Sequence, residues 1–149
     1  MQSETAFSHD MVSEAIEMVL PAFNHMTTSH VVRHGHFHVT VGWAPAPNPH
    51  TDVVPVAEHS FGDPTTWSMD YKAIAEGKRT IVAREHISSR EAVDQGKILE
   101  GEPAWAGGVI VDDVIVAVSG LEQEFDELFA YMIAHAIMAL RYNELRHAA

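Results

Sequence analysis

Apolar residues change their period several times along this chain, and each change marks an element. Val12, Ala15, Ile16, Val19, Leu20 and Phe23 recur at helical spacing. They predict an amphipathic helix from Ser8 to about Met26, with Ser8 as its cap and Pro21 disturbing the last turns. A β-branched segment from Val31 to Trp43 predicts a first strand. The run Ala44-Pro45-Ala46-Pro47-Asn48-Pro49 ends it as a loop, because proline cannot donate to a ladder. Thr51 to Glu58 reads as a second strand, and Gly62-Asp63-Pro64 turns the chain toward a helix containing Tyr71, Ile74, Ala75 and Ile81. Ser88 and Glu91 have capping-box spacing, which predicts a shorter helix to about Leu99, before Gly101 and Pro103 interrupt it.

The last third of the chain has the clearest pattern. From Gly107 to Gly120, two β-branched runs flank Asp112-Asp113, whose short polar side chains tolerate the positive φ values of a two-residue turn. This predicts a buried antiparallel hairpin. From Leu121 the period becomes helical, with Phe125, Leu128, Phe129, Met132, Ile133, Ala136, Ile137 and Leu140 on one face and Ser119 as the candidate N-cap. The order helix, strand, strand, helix, helix, strand, strand, helix predicts an α+β fold, an antiparallel sheet covered by helices.

Composition narrows the class. A chain of 149 residues that is 46% hydrophobic suits one domain, taken as residues 1–149. No apolar stretch reaches the roughly 20 residues of a membrane helix, and the N-terminus lacks a basic region followed by an apolar signal core. A cytoplasmic protein without a membrane partner is therefore expected. A formal charge of −12, with no basic stripe, argues against nucleic acid as a partner. With no cysteine, any metal must be held by His, carboxylate or hydroxyl groups, and eleven histidines are on hand.

The strongest chemical signal is His34-Gly35-His36-Phe37-His38. On a strand, period two places His34, His36 and His38 on one face and Phe37, Val39 and Val41 on the other. Three converging imidazoles would hold Fe or Zn and leave a coordination position open. The competing reading is a solvated polar strand face. Glu58, near the end of the second strand, is a candidate fourth ligand, orienter or general base if it shares the histidine face, and an exposed carboxylate otherwise. The sequence has no Gly-rich phosphate loop, nucleophile elbow or His-Glu-x-x-His helix. A serine nucleophile assembled in space stays open, because triad members need not be neighbours in sequence.

Lys78-Arg79-Thr80 late in a helix, then Gly107-Gly108-Val109, the Val-Asp-Asp-Val hairpin, Val118-Ser119-Gly120-Leu121 and the final helix resemble the GlcG/HbpS haem-binding family. The likeness runs from about Met69 to Ala139. It departs at Val109-Ile110, where the family usually has a small residue and proline after the double glycine. The resemblance implies a profilin-like α/β/α sandwich, a homo-oligomer and a haem ligand, and extends to the C-terminal domain of PduO-type adenosyltransferases. It makes the first helix, with His25 near its end, a place for haem contact. Arg79 falls in the family-like segment, and its rigid fork suits a haem propionate or another carboxylate. Gly107 and Gly108 could bring backbone N–H groups to that ligand, or simply relieve the approach to the hairpin.

The leading reading is a small-ligand-binding protein whose ligand is haem or another anionic ring-containing molecule, with haem breakdown as its extension. The alternative is a metal-dependent enzyme in which the histidine cluster and Glu58 act on a small aromatic or carboxylate substrate. A third reading is a non-catalytic assembly subunit.

Overall fold

The computed structural model describes residues 7–29, 34–47 and 55–148. The first helix, α1 (His9–Thr28), begins where the Ser8 hydroxyl accepts from the Met11 N–H. It continues past Pro21 because Phe23 and Met26, beyond the proline, are buried in the core, which outweighs one lost helix hydrogen bond. Strands β1 (Phe37–Trp43) and β2 (Ala57–Phe61) follow. Helix α2 (Tyr71–Glu85) starts on an Asp70 cap, and α3 (Ser89–Asp94) on the expected Ser88–Glu91 capping box. Strands β3 (Gly108–Val111) and β4 (Val114–Ser119) form the hairpin, and α4 (Gln123–His147) ends the fold.

The sheet is antiparallel throughout, in the order β2-β1-β4-β3. Strand alternation divides it into two unlike faces. Phe37, Val39, Val41, Val109, Val114, Val116 and Val118 pack with α1 and α4 in the main core. Ile110 and Ile115 face the other way, against Val82 and Ala83 of α2, and so does Thr40, which is bonded to Arg79 of α2. The architecture is α+β, with helices on both faces. Among the described residues, no helix is long and apolar enough to cross a membrane.

Several boundaries differ from the sequence expectation. β1 begins at Phe37, so His34 and His36 precede it, and residues 31–33 lie outside the described residues. β2 runs from Ala57 to Phe61 rather than ending at Glu58, because Ala57 and Phe61 both reach the core side. Residues 51–54 of the expected strand, and 48 and 49 of the proline-rich loop, lie outside the described residues. α3 stops five residues early: Gly96, at φ +69°, turns the chain, and Lys97 N–H donates back to the Ala92 carbonyl. Ser119 belongs to β4, not to a cap; Glu122 takes the cap position of α4 without a side-chain cap bond. In the hairpin turn, only Asp112 takes a positive φ, +53°.

Candidate functional site

The space between α2 and the start of α4 contains the most unusual chemistry in the molecule. Lys78 lies on the stripe of α2 that also carries Tyr71, Ala75, Ile81 and Val82, and Asp126 lies on the stripe of α4 with Phe129, Ala130 and Ile133. Both charged side chains are therefore carried into the protein by the faces that pack. Lys78 Nζ donates to the Val118 carbonyl at 2.8 Å and to Asp126 Oδ2 at 3.3 Å. Asp126 Oδ1 accepts from the Leu121 N–H at 3.0 Å, so the carboxylate also satisfies a backbone donor beside the uncapped start of α4. Burial pushes the Asp126 carboxyl up to about 7, against the opposing pull of Lys78. Burial likewise lowers the Lys78 ammonium, which Asp126 partly restores.

Gly107 makes this pair sterically feasible. It has φ +129°, and a Cβ there would sit 2.5 Å from the Val118 carbonyl oxygen and 2.7 Å from Lys78 Nζ. A Cβ on Gly108 would stand 2.9 Å from Val82 and 3.0 Å from the Lys78 carbonyl, so its absence lets α2 approach the sheet. The Gly108 N–H is engaged by Ser89 Oγ at 3.0 Å and is not offered to a ligand.

A cavity of about 360 Å³ opens onto the ion pair. Met69, Tyr71, Ile74, Trp105 and Leu121 supply its apolar surface, and Lys78 is the one cation among its described lining residues. Glu122 and Glu124 add acid to the same lining. Trp105 and Met69 are about half exposed despite their size, as walls of an open site rather than members of the core.

A second polar cluster lies where β1 and β2 face α2. His38, 2% exposed, approaches Ser60 Oγ through Nδ1 at 2.8 Å and Glu58 Oε1 through Nε2 at 3.2 Å. Burial lowers the His38 imidazole and Glu58 only partly raises it, so the ring is neutral at pH 7. Nearby, buried Arg79 donates to Thr40 Oγ1; burial lowers the guanidinium, and Glu58 and Glu76 oppose that.

The backbone arrangement has counterparts among solved structures. HbpS from Streptomyces reticuli, in a double-mutant form, matches with a TM-score of 0.65 at 14% identity over 91% of this chain and 89% of that one. The fold is the HbpS fold. ORFY of Klebsiella pneumoniae, a DUF336 protein, matches with a TM-score of 0.56 at 16% identity, covering 93% of this chain and 97% of that one. A PduOC:haem complex matches with a TM-score of 0.54 at 15% identity, covering 85% and 89% respectively. These likenesses agree with the resemblance read in the sequence and, at such identities, concern architecture alone. No protein-family profile and no curated protein sequence matches the chain.

Within the HbpS fold, the sequence-predicted site residues do not assemble as one site. His34, His36 and His38 do not converge on one point, because only His38 is on the strand. His34 Nδ1 accepts from the His36 N–H at 3.1 Å, while its ring stacks near Tyr71. His36 Nδ1 is buried against Gly62. Among the described residues, no three His, Asp or Glu side chains are grouped to hold a metal ion, which corrects the expected triad. Glu58 does share the face of His38 and touches it. His25 is exposed in the last turn of α1, across the sheet from Arg79.

Lys78 and Asp126 are the residues that sequence reasoning missed as a pair. Each is a charge at a position where the helical period calls for an apolar side chain, and that mismatch was the available signal. Their partnership, across 48 positions, needed the fold.

Proposed function

We propose that this protein binds a small ligand in the cavity beside Trp105, and that the ligand is haem or another ring-containing anion. The observation that carries the reading is the meeting of an apolar wall with a buried ammonium: Met69, Ile74, Trp105 and Leu121 would cover a ring, and Lys78 would receive a carboxylate. Asp126 sets the terms of that exchange. With its carboxyl pushed up to about 7, it takes up a proton near neutrality, and a ligand carboxylate can then pair with Lys78 in its place. The acids Glu122 and Glu124 favour a ligand with one anionic end over a polyanion.

The residues present suit haem. The apolar wall would take part of the macrocycle, Lys78 one propionate, and Met69 and Tyr71, both in the lining, are of the residue types that serve as axial ligands to haem iron. Bound haem would supply a redox-active iron. The PduOC:haem complex, on the same fold, supports this choice of ligand. In the Lys78 cavity the reading is one of ligand binding.

Haemin titration followed at the Soret band tests the proposal. A saturable shift is expected, weakened at least about tenfold in Trp105→Ala, an exposed position whose truncation leaves the core intact. The absence of a saturable shift rejects haem; a shift indifferent to Trp105→Ala and to Lys78→Met rejects this cavity.

A further inference from the structure

The cluster on β1 and β2 has the parts of a nucleophile chain. Ser60 is exposed on β2, and its Oγ lies 2.8 Å from His38 Nδ1. Glu58 Oε1 lies 3.2 Å from the other ring nitrogen, Nε2. A carboxylate can only accept, so Nε2 carries the proton and donates to Glu58; Nδ1 is left to accept from the Ser60 hydroxyl. Serine, imidazole and carboxylate are thus joined in the order by which a hydroxyl is activated.

Ser60 also opens onto space. It lines a wide cavity of about 650 Å³ with Trp67, Ser68, Met69, Asp70 and Lys72, separate in its polar lining from the Lys78 cavity. Trp67 Nε1 is buried without a hydrogen-bond partner among the described residues, and the Trp67 ring stands edge-on to His38 at 6.4 Å between centroids. The Lys72 ammonium in the wall of this cavity is suited to the oxygen of a reacting carbonyl.

We propose that Ser60 is an acyl-accepting nucleophile, with His38 as its base and Glu58 as a positioning residue, acting on small activated esters. Ser60 Oγ forms a bond to the carbonyl carbon as the bond to the leaving alcohol breaks. The serine proton passes to His38 Nδ1 and then to the departing oxygen. Water, deprotonated by the same nitrogen, releases the acid and restores the serine hydroxyl.

The groups facing His38 are Glu58 from β2 and Lys72 and Glu76 from α2, with His59 on the opposite face of β2. Glu58 raises the imidazole against its burial, so removing that carboxylate moves the imidazole further down. The test uses the full chain and a fluorophosphonate. Its phosphorus bonds to Oγ as fluoride leaves and His38 takes the proton.

Mass spectrometry should find the adduct on Ser60 and find it absent in Ser60→Ala, with hydrolysis of p-nitrophenyl acetate falling at least about a hundredfold in that variant. Ser60 is exposed, so the variant keeps its fold. In Glu58→Gln, the plateau labelling rate should fall and its half-maximum move to lower pH, a displacement that a merely structural carboxylate would not cause. Absence of an adduct on Ser60, labelling no faster than at other exposed serines, or an unmoved pH profile in Glu58→Gln overturns the proposal.

Discussion

Lys78 Nζ and Asp126 Oδ2 face each other at 3.3 Å with their side chains only 1% and 3% exposed. The pair ties α2 to the start of α4 and forms the floor of the Trp105 cavity. Charges so deeply buried are held by their partners, since removing one leaves the other without water or counter-charge.

Single and double replacements of this pair should therefore diverge. Asp126→Ala is expected to destabilise the protein by about 3–5 kcal/mol, whereas Lys78→Met combined with Asp126→Leu should cost much less, because no buried charge is left unpaired. Urea denaturation of the three proteins measures both. A single variant as benign as a surface substitution would show that the pair is solvated in solution.

Asp126 should also give stability a distinctive pH dependence. Its folded pKa of about 7 lies above the ordinary 3.8, so its contribution is fully present below pH 3.8 and is lost as pH rises through about 7. Lys78 is lowered from 10.5, so its contribution is present above that value and lost as pH falls through its folded pKa. The wild-type minus Asp126→Asn difference in unfolding free energy should decline between pH 4 and pH 8. A flat difference would mean that Asp126 titrates as an ordinary carboxylate.

Gly107 and Gly96 provide a contrast in the cause of strain. Both have positive φ, but a Cβ at Gly107 meets backbone and Lys78 Nζ below 3.0 Å, while a Cβ at Gly96 meets nothing within 4 Å. Gly96→Ala should cost about 1 kcal/mol from backbone strain alone, and Gly107→Ala at least about 3 kcal/mol, with disturbance of the Lys78 pair. Equal shifts in thermal midpoint would contradict the packing argument.

Asp113 links three parts of the chain. Its Oδ2 accepts from Trp43 Nε1 at 2.8 Å and its Oδ1 from Arg141 Nη1 at 2.8 Å, joining the hairpin turn to β1 and α4. Burial alone would raise this carboxyl, but the bonds from Trp43 and Arg141 outweigh it and hold the pKa below 3.8. Its contribution is present above pH 3.8 and lost as pH falls through the lower folded value. Asp113→Ala should destabilise by about 1–3 kcal/mol and alter Trp43 fluorescence, an effect absent from Asp112→Ala if the hydrogen bonds are responsible.

Local pattern alone made the element order readable. The hairpin, α4 and the caps at Ser8 and Ser88 depend on interactions within a few residues, so the chain around each carries the information. Boundaries were less legible where distant packing outweighs local preference. Phe23 and Met26 extend α1 beyond Pro21, and Phe61 reaches the core side and extends β2.

The candidate sites separate the two kinds of information more sharply. The facing of Phe37, Val39 and Val41 away from His38 follows from strand parity, and parity likewise left Glu58 one of two faces. By itself, the sequence determined the helix and strand periods, the hairpin and the chemical inventory. Only the tertiary structure decided that His38 meets Glu58 and Ser60 while His34 and His36 turn elsewhere, and that Lys78 rather than Arg79 faces the Trp105 cavity. The physical reason is that short-range periodicity sets which side of an element a residue occupies, whereas charge pairing and access to a cavity depend on which elements are brought together, often from positions far apart in the chain.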